Sequence, residues 1–222
     1  MVVHLCRCSP GRARRGQSGL YFGFFETPPR LTSLGDAIGL QLSAGVASGL
    51  LELLWQPPLE NVLDPLADRL LTAVAQRQVQ RLFIDGFEGF KEAAVDPERV
   101  GRILAALTNE LRARGVSSVI STELRTWLGP AVEAPVSGLA AVAENVLFLR
   151  HVELGAELCR LISIFKQRGS DYDATIRQLS ISASGIDVAV SFASAEGILT
   201  GVARLVSGSG SRPSAQPPDD AE

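Results

Sequence analysis

The chain has 222 residues, 46% of them hydrophobic and 20% charged, which fits one medium α/β domain or one domain with appendages. Its 21 Lys plus Arg against 24 Asp plus Glu leave a formal charge of -3, which argues against the basic footprint of a general nucleic-acid binder. Three cysteines, Cys6, Cys8 and Cys159, are an odd count in a chain too long to need stapling, so a reducing cytoplasm fits better than a secreted disulfide framework, and no apolar run reaches the roughly 18 residues of a membrane-spanning helix.

Residues 1–16 form an atypical basic segment with Arg7, Arg12, Arg14 and Arg15 and no acid. No apolar stretch of roughly 7–15 residues follows the arginines, as a secretory signal requires. An ordered domain is expected over 17–205. The Gly-, Ser-, Pro- and acid-rich tail over 206–222 cannot bury enough apolar surface to offset chain entropy, so it should be disordered. Within the domain, Gly19 to Phe25 is an apolar run of strand length, and Thr27-Pro28-Pro29 stops it and opens a short helix toward Leu40. Leu50 to Trp55 is a second strand, closed by Gln56-Pro57-Pro58. Asn61 is a candidate N-cap for a helix whose apolar face is Val62, Leu63, Leu66, Leu70, Leu71 and Val74. Arg81 to Asp85 reads as a buried strand. Asp96-Pro97 reads as a cap and first turn, followed by the stripe Val100, Ile103, Leu104, Leu107 and Leu111. Val116 to Ser121 is a strand of the kind found in the middle of a parallel sheet. Beyond Asn145 the strands follow one another without helices, as antiparallel hairpins appended to that sheet.

In open α/β sheets, chemistry sits at the carboxyl ends of strands, which singles out Glu26, Asp85 and the run Ser121-Thr122-Glu123. Asp85 closes Leu82-Phe83-Ile84 ahead of Gly86, a place from which a carboxylate can face the water shell of magnesium or merely cap a turn. Glu26 can polarise a water or cap the helix begun by the two prolines. Cys6-x-Cys8 lacks a second ligand pair for zinc.

The run from Leu147 to Ile186, LFLRHVELGAELCRLISIFKQRGSDYDATIRQLSISASGI, resembles the KaiC family of RecA-fold ATPases. A strand ending in Arg leads there to a Val-Glu-Leu-Gly turn, a hairpin and a Lys-x-Arg-Gly-Ser-x-x-Asp segment. GLYFGFFETP is similar to that family's strand ending in acidic residues, RLFIDGF to its Walker B strand, and the likeness covers most of 11–190. The resemblance implies a RecA-like, mainly parallel sheet flanked by helices, with antiparallel C-terminal hairpin strands, assembling as a homo-oligomer, a hexamer in the family, with ATP and magnesium between subunits. It implies that Asp85 is the Walker B carboxylate near magnesium, through water. Ser121 and Thr122 end the strand that senses the γ-phosphate. Lys166 and Arg168 reach a neighbour's nucleotide, Ser170 and Asp173 support their loop, and Glu26 is catalytic. As an isolated motif, Lys166-Gln167-Arg168 reads rather as a solvated hairpin tip.

Two departures bear on activity. The family's P-loop, Gly-x-x-x-x-Gly-Lys-Thr, occurs nowhere in the 222 residues, and the first of two adjacent family glutamates is replaced by Phe25. The expectation is an N-terminally truncated ATPase-family domain with a signalling or assembly role, impaired in binding and hydrolysing ATP. The alternative is a pseudo-ATPase or protein-interaction module that keeps the RecA-like surface. A recombinase-like partner in DNA is disfavoured by the charge and by the lack of a basic, aromatic-interleaved stretch. The resemblance also places the family's P-loop strand inside the sheet, so two facing strand edges are expected to lack a partner here.

Overall fold

The computed structural model describes residues 16–57, 62–123, 142–154, 157–189, 195–196 and 204–205. Four strands, β1 (Gly19–Gly23), β2 (Leu51–Trp55), β3 (Arg81–Asp85) and β4 (Ser117–Ile120), form a parallel sheet in the order β2-β1-β3-β4. Five helices accompany it among the described residues: α1 (Pro28–Ala37), α2 (Leu42–Ala47), α3 (Leu63–Gln76), α4 (Glu88–Glu92) and α5 (Pro97–Ala113). This is the α/β, RecA-like arrangement.

Strand periodicity divides the core. Leu20, Phe22, Phe24, Leu82 and Ile84 pack with Leu63, Leu66, Leu70 and Val74 of α3 and Val100, Leu104, Leu107 and Leu111 of α5. Tyr21 and Phe83 pack on the other face with Leu31 of α1, Leu42 of α2 and Leu51. The central strands are therefore buried on both faces, as a parallel sheet requires. Leu70, fully buried, stabilises the first layer most plainly, and its truncation to Ala would cost about 2–5 kcal/mol. Asp96 caps α5 as its sequence indicates, its side chain accepting the Glu98 N–H at 3.0 Å, with Pro97 in the first turn. The first helix stops at Ala37, short of Leu40. Gly39 takes a positive φ of 75° and Leu40 N–H bonds back to Gly35 O at 2.9 Å, which closes the helix and lets α2 begin separately.

The hairpin strands β5 (Asn145–Leu154), β6 (Glu157–Gln167), β7 (Arg177–Ser182) and β8 (Gly185–Val188) make an antiparallel sheet in that order, and Ala195–Glu196 pairs with Arg204–Leu205. They are not an extension of the parallel sheet. Among the described residues β4 pairs with β3 alone and β5 with β6 alone. Within β4, Ser117 and Ser118 are exposed. A polar link spans the two: Arg112 of α5 pairs with Glu144 at 3.2 Å and donates to Val142 O. Residues 1–15, Asn61 and the tail over 206–222 lie outside the described residues, as do Cys6, Cys8 and the end of the Val-Glu-Leu-Gly turn.

Candidate functional site

The carboxyl ends of β1, β3 and β4 bring Asp85, Ser121 and Thr122 together, as their places at the ends of apolar runs suggest. Asp85 Oδ1 accepts the Ser121 hydroxyl at 2.8 Å, and Asp85 Oδ2 accepts the Tyr21 hydroxyl at 2.7 Å. The Ser121 oxygen in turn accepts the Gly86 N–H at 2.8 Å, while Ser121 O accepts the Phe87 N–H at 2.9 Å. Thr122 donates its hydroxyl to Glu88 Oε1 at 2.7 Å; the Glu123 N–H and Lys91 Nζ reach the same oxygen at 3.2 and 3.1 Å. Burial pushes the Glu88 carboxyl up, but the bonds from Thr122, a backbone N–H and Lys91 outweigh it and hold it below the usual value.

Glu26 is partly exposed and ion-paired with Arg30 at 2.8 Å, one helical turn on. Thr27, not Glu26, is the N-cap of α1, and it makes no side-chain capping bond. Phe25 is 55% exposed, and its ring lies against Gly86: a Cβ on Gly86 would fall 2.5 Å from the ring. Lys166, Arg168, Ser170 and Asp173 group on the other sheet, at the end of β6 and the turn after it. Lys166 Nζ donates to Ala143 O at 2.9 Å, and Arg168 N–H to Glu144 O at 3.0 Å. Ser170 Oγ accepts from Gln167 Nε2. Asp173 accepts the Thr175 N–H at 2.8 Å and pairs with Arg177, and the bonds from Thr175 and Arg177 hold its carboxyl far below the ordinary range.

These contacts set what the site can do. A hydroxyl that donates to a carboxylate has no proton left for a phosphate oxygen, and both candidate hydroxyls are so committed. Glu26, Asp85, Glu88 and Glu123 make this end of the sheet acidic, while Lys91 and Arg30 are already paired with two of them. The described residues do not form a triphosphate cradle. Each Asp85 oxygen accepts one bond from a protein hydroxyl, and no three His, Cys, Asp or Glu side chains converge into a metal cluster among the described residues.

Two residues at this site escape a sequence-level reading. Tyr21 sits inside an apolar run and looks like core. Its pairing with an acid depends on strand register, although a small residue two positions on, Gly23, was the available sign that its ring could lie along the strand. Glu88 looks like one more surface acid on α4. No local signal ties it to Thr122, which lies on another element.

Comparison with known sequences accords with this architecture. The family described as "ATPase: KaiC" matches residues 11–191. Similar proteins include the circadian clock oscillator protein KaiC of Picosynechococcus sp., 23% identical over 85% of this chain and 36% of the relative. The protein of the same name from Acaryochloris marina is 24% identical over 87% of this chain and 37% of the relative. The circadian clock oscillator protein KaiC 1 of Synechocystis sp. is 23% identical over 85% and 36%. The chain thus spans a little over a third of the length of these relatives, and among its described residues no helix is long and apolar enough to cross a membrane. With most of its length matched, and with the parallel sheet and hairpin strands in place, the chain belongs to the KaiC family of ATPase domains.

Proposed function

We propose that the 222-residue chain is a KaiC-type domain with a signalling or assembly role in the cytoplasm, and that by itself it does not turn over ATP. One observation carries this reading: the hydroxyls that would meet the phosphates already give their protons to carboxylates, Ser121 to Asp85 and Thr122 to Glu88. Two others support it. In the family resemblance Phe25 takes the place of an acid, and Glu26 is ion-paired with Arg30. The test is titration with a fluorescent ATP analogue and magnesium, alongside phosphate release. The expected result is no binding tighter than about 100 μM, close to -5.5 kcal/mol, and no turnover. Tighter binding, or magnesium-dependent phosphate release, overturns it.

A second reading, a protein-interaction module that includes association with further copies of the chain, is favoured by one face of the antiparallel sheet. The register places Leu147, Leu149, Ile162, Ile164, Ile181 and Val188 on the same side. Leu147, Leu149, Ile181 and Val188 are each at least 38% exposed, more apolar surface than solvent-facing strands usually show. Lys166 and Arg168 close the same sheet and supply the intersubunit contact in this reading.

A further inference from the structure

We propose that Tyr21, Asp85 and Ser121 form a hydroxyl–carboxylate–hydroxyl staple that joins β1, β3 and β4 without magnesium and gives Asp85 a structural task. The inference goes beyond the functional reading above, because it assigns Asp85 a task of its own.

Register makes the staple possible. Tyr21 lies opposite Phe83 and Gly23 opposite Asp85, so the Tyr21 ring must run along β1 over residue 23 to deliver its hydroxyl 2.7 Å from Asp85 Oδ2. Residue 23 has no side chain to obstruct it. A Cβ there would lie 2.3 Å from Tyr21 Cε1 and 2.5 Å from the hydroxyl oxygen. The phenol belongs to a residue only 1% exposed, in the layer formed with Leu31, Leu42, Leu51 and Phe83. Were Asp85 to swing toward a metal's water shell, this hydroxyl would be stranded among apolar side chains. Oδ1 is tied at the same time to Ser121, whose oxygen also takes the Gly86 N–H, so the carboxylate is gripped from two strands. The grip matters most for β4, which has a single ladder neighbour among the described residues. Magnesium, by contrast, keeps its own waters and needs a carboxylate presented to them together with phosphate oxygens.

The experiment is thermal unfolding of the full chain and of Tyr21→Phe, Ser121→Ala and Asp85→Asn, each in chelator and in millimolar magnesium chloride, with calorimetric titration of magnesium alone. The staple predicts that Tyr21→Phe and Ser121→Ala each lower Tm by roughly 3 °C or more, because each removes a hydrogen bond to a charged group. It further predicts that magnesium leaves every Tm unchanged and that its titration gives no measurable heat of binding. Should Asp85→Asn not fold, the two hydroxyl variants carry the test. A melting temperature unmoved by Tyr21→Phe overturns the staple. So does a magnesium-induced rise in the Tm of the unaltered chain that Asp85→Asn abolishes. Nucleotide binding without magnesium would sink the functional reading and leave the staple standing, so the two failures are distinguishable.

Discussion

Thr122 donates its hydroxyl proton to Glu88 Oε1 at 2.7 Å across 34 positions of sequence, tying the end of β4 to α4. The same oxygen serves the Glu123 N–H and Lys91, so three donors depend on one carboxylate. Glu88→Ala should lower the unfolding free energy by about 1–3 kcal/mol in urea denaturation, since it leaves the partly buried Thr122 and Lys91 donors unmatched. Glu88→Gln keeps an acceptor oxygen and should lose less. Equal midpoints for all three proteins would show that the bonds contribute nothing.

Tyr21 gives the chain an alkaline limit. Burial first, then the hydrogen bond to Asp85 and the charges of Asp85 and Glu26, push its phenol far above the ordinary value of 10.0. In the unfolded chain the phenol ionises near that value, while in the folded chain it stays protonated. Its stabilising contribution is therefore complete below about pH 10 and is lost as pH rises further. Unfolding free energy should fall from about pH 10 upward, and Tyr21→Phe should flatten that fall. Parallel profiles for the two proteins would show that the phenol ionises as freely in the fold as outside it.

Two glycines should respond with opposite sign to the same substitution. Gly23→Ala drives a methyl group into the Tyr21 ring, which core packing keeps from moving aside, and should cost about 1–3 kcal/mol. Gly45→Ala, in α2, meets Leu51 Cβ at an ordinary 3.4 Å and should gain up to about 1 kcal/mol from helix propensity. Thermal melts of both decide this; a gain at residue 23 would mean that Tyr21 is not held where the hydrogen bond requires.

Association offers a further check. If copies of the chain meet through the end of β6, Arg168→Ala should shift the oligomer distribution in light-scattering chromatography while the far-ultraviolet circular dichroism stays the same. Identical distributions would remove Arg168 from the interface.

The sequence disclosed elements far better than partners. Leu82-Phe83-Ile84 reads as a buried strand because burial on both faces demands an unbroken apolar run, and Asp96-Pro97 reads as a helix start because capping is local chemistry. The ends of the runs, Asp85 and Ser121, were also legible as site candidates. What Asp85 touches was not. Its bond to Tyr21 spans 64 positions and exists only once β1 and β3 settle into register, with Gly23 beside Asp85. The separation of the hairpin strands into their own sheet was likewise out of local reach, because texture shows that strands follow strands but not which edges meet.

The side of β4 turned away from β3 has a kinetic signature if no other strand lies along it. Ser117 N–H bonds to Gln80 O and Ser121 N–H to Ile84 O, both at 2.9 Å, so strand alternation turns the amides of Ser118 and Ile120 away from β3. In deuterated water the strand should label as a comb: Ser117 and Ser121 slow, Ser118 and Ile120 fast, within five consecutive residues. Anything that later lies along that edge would report itself by slowing the fast teeth and leaving the slow ones alone.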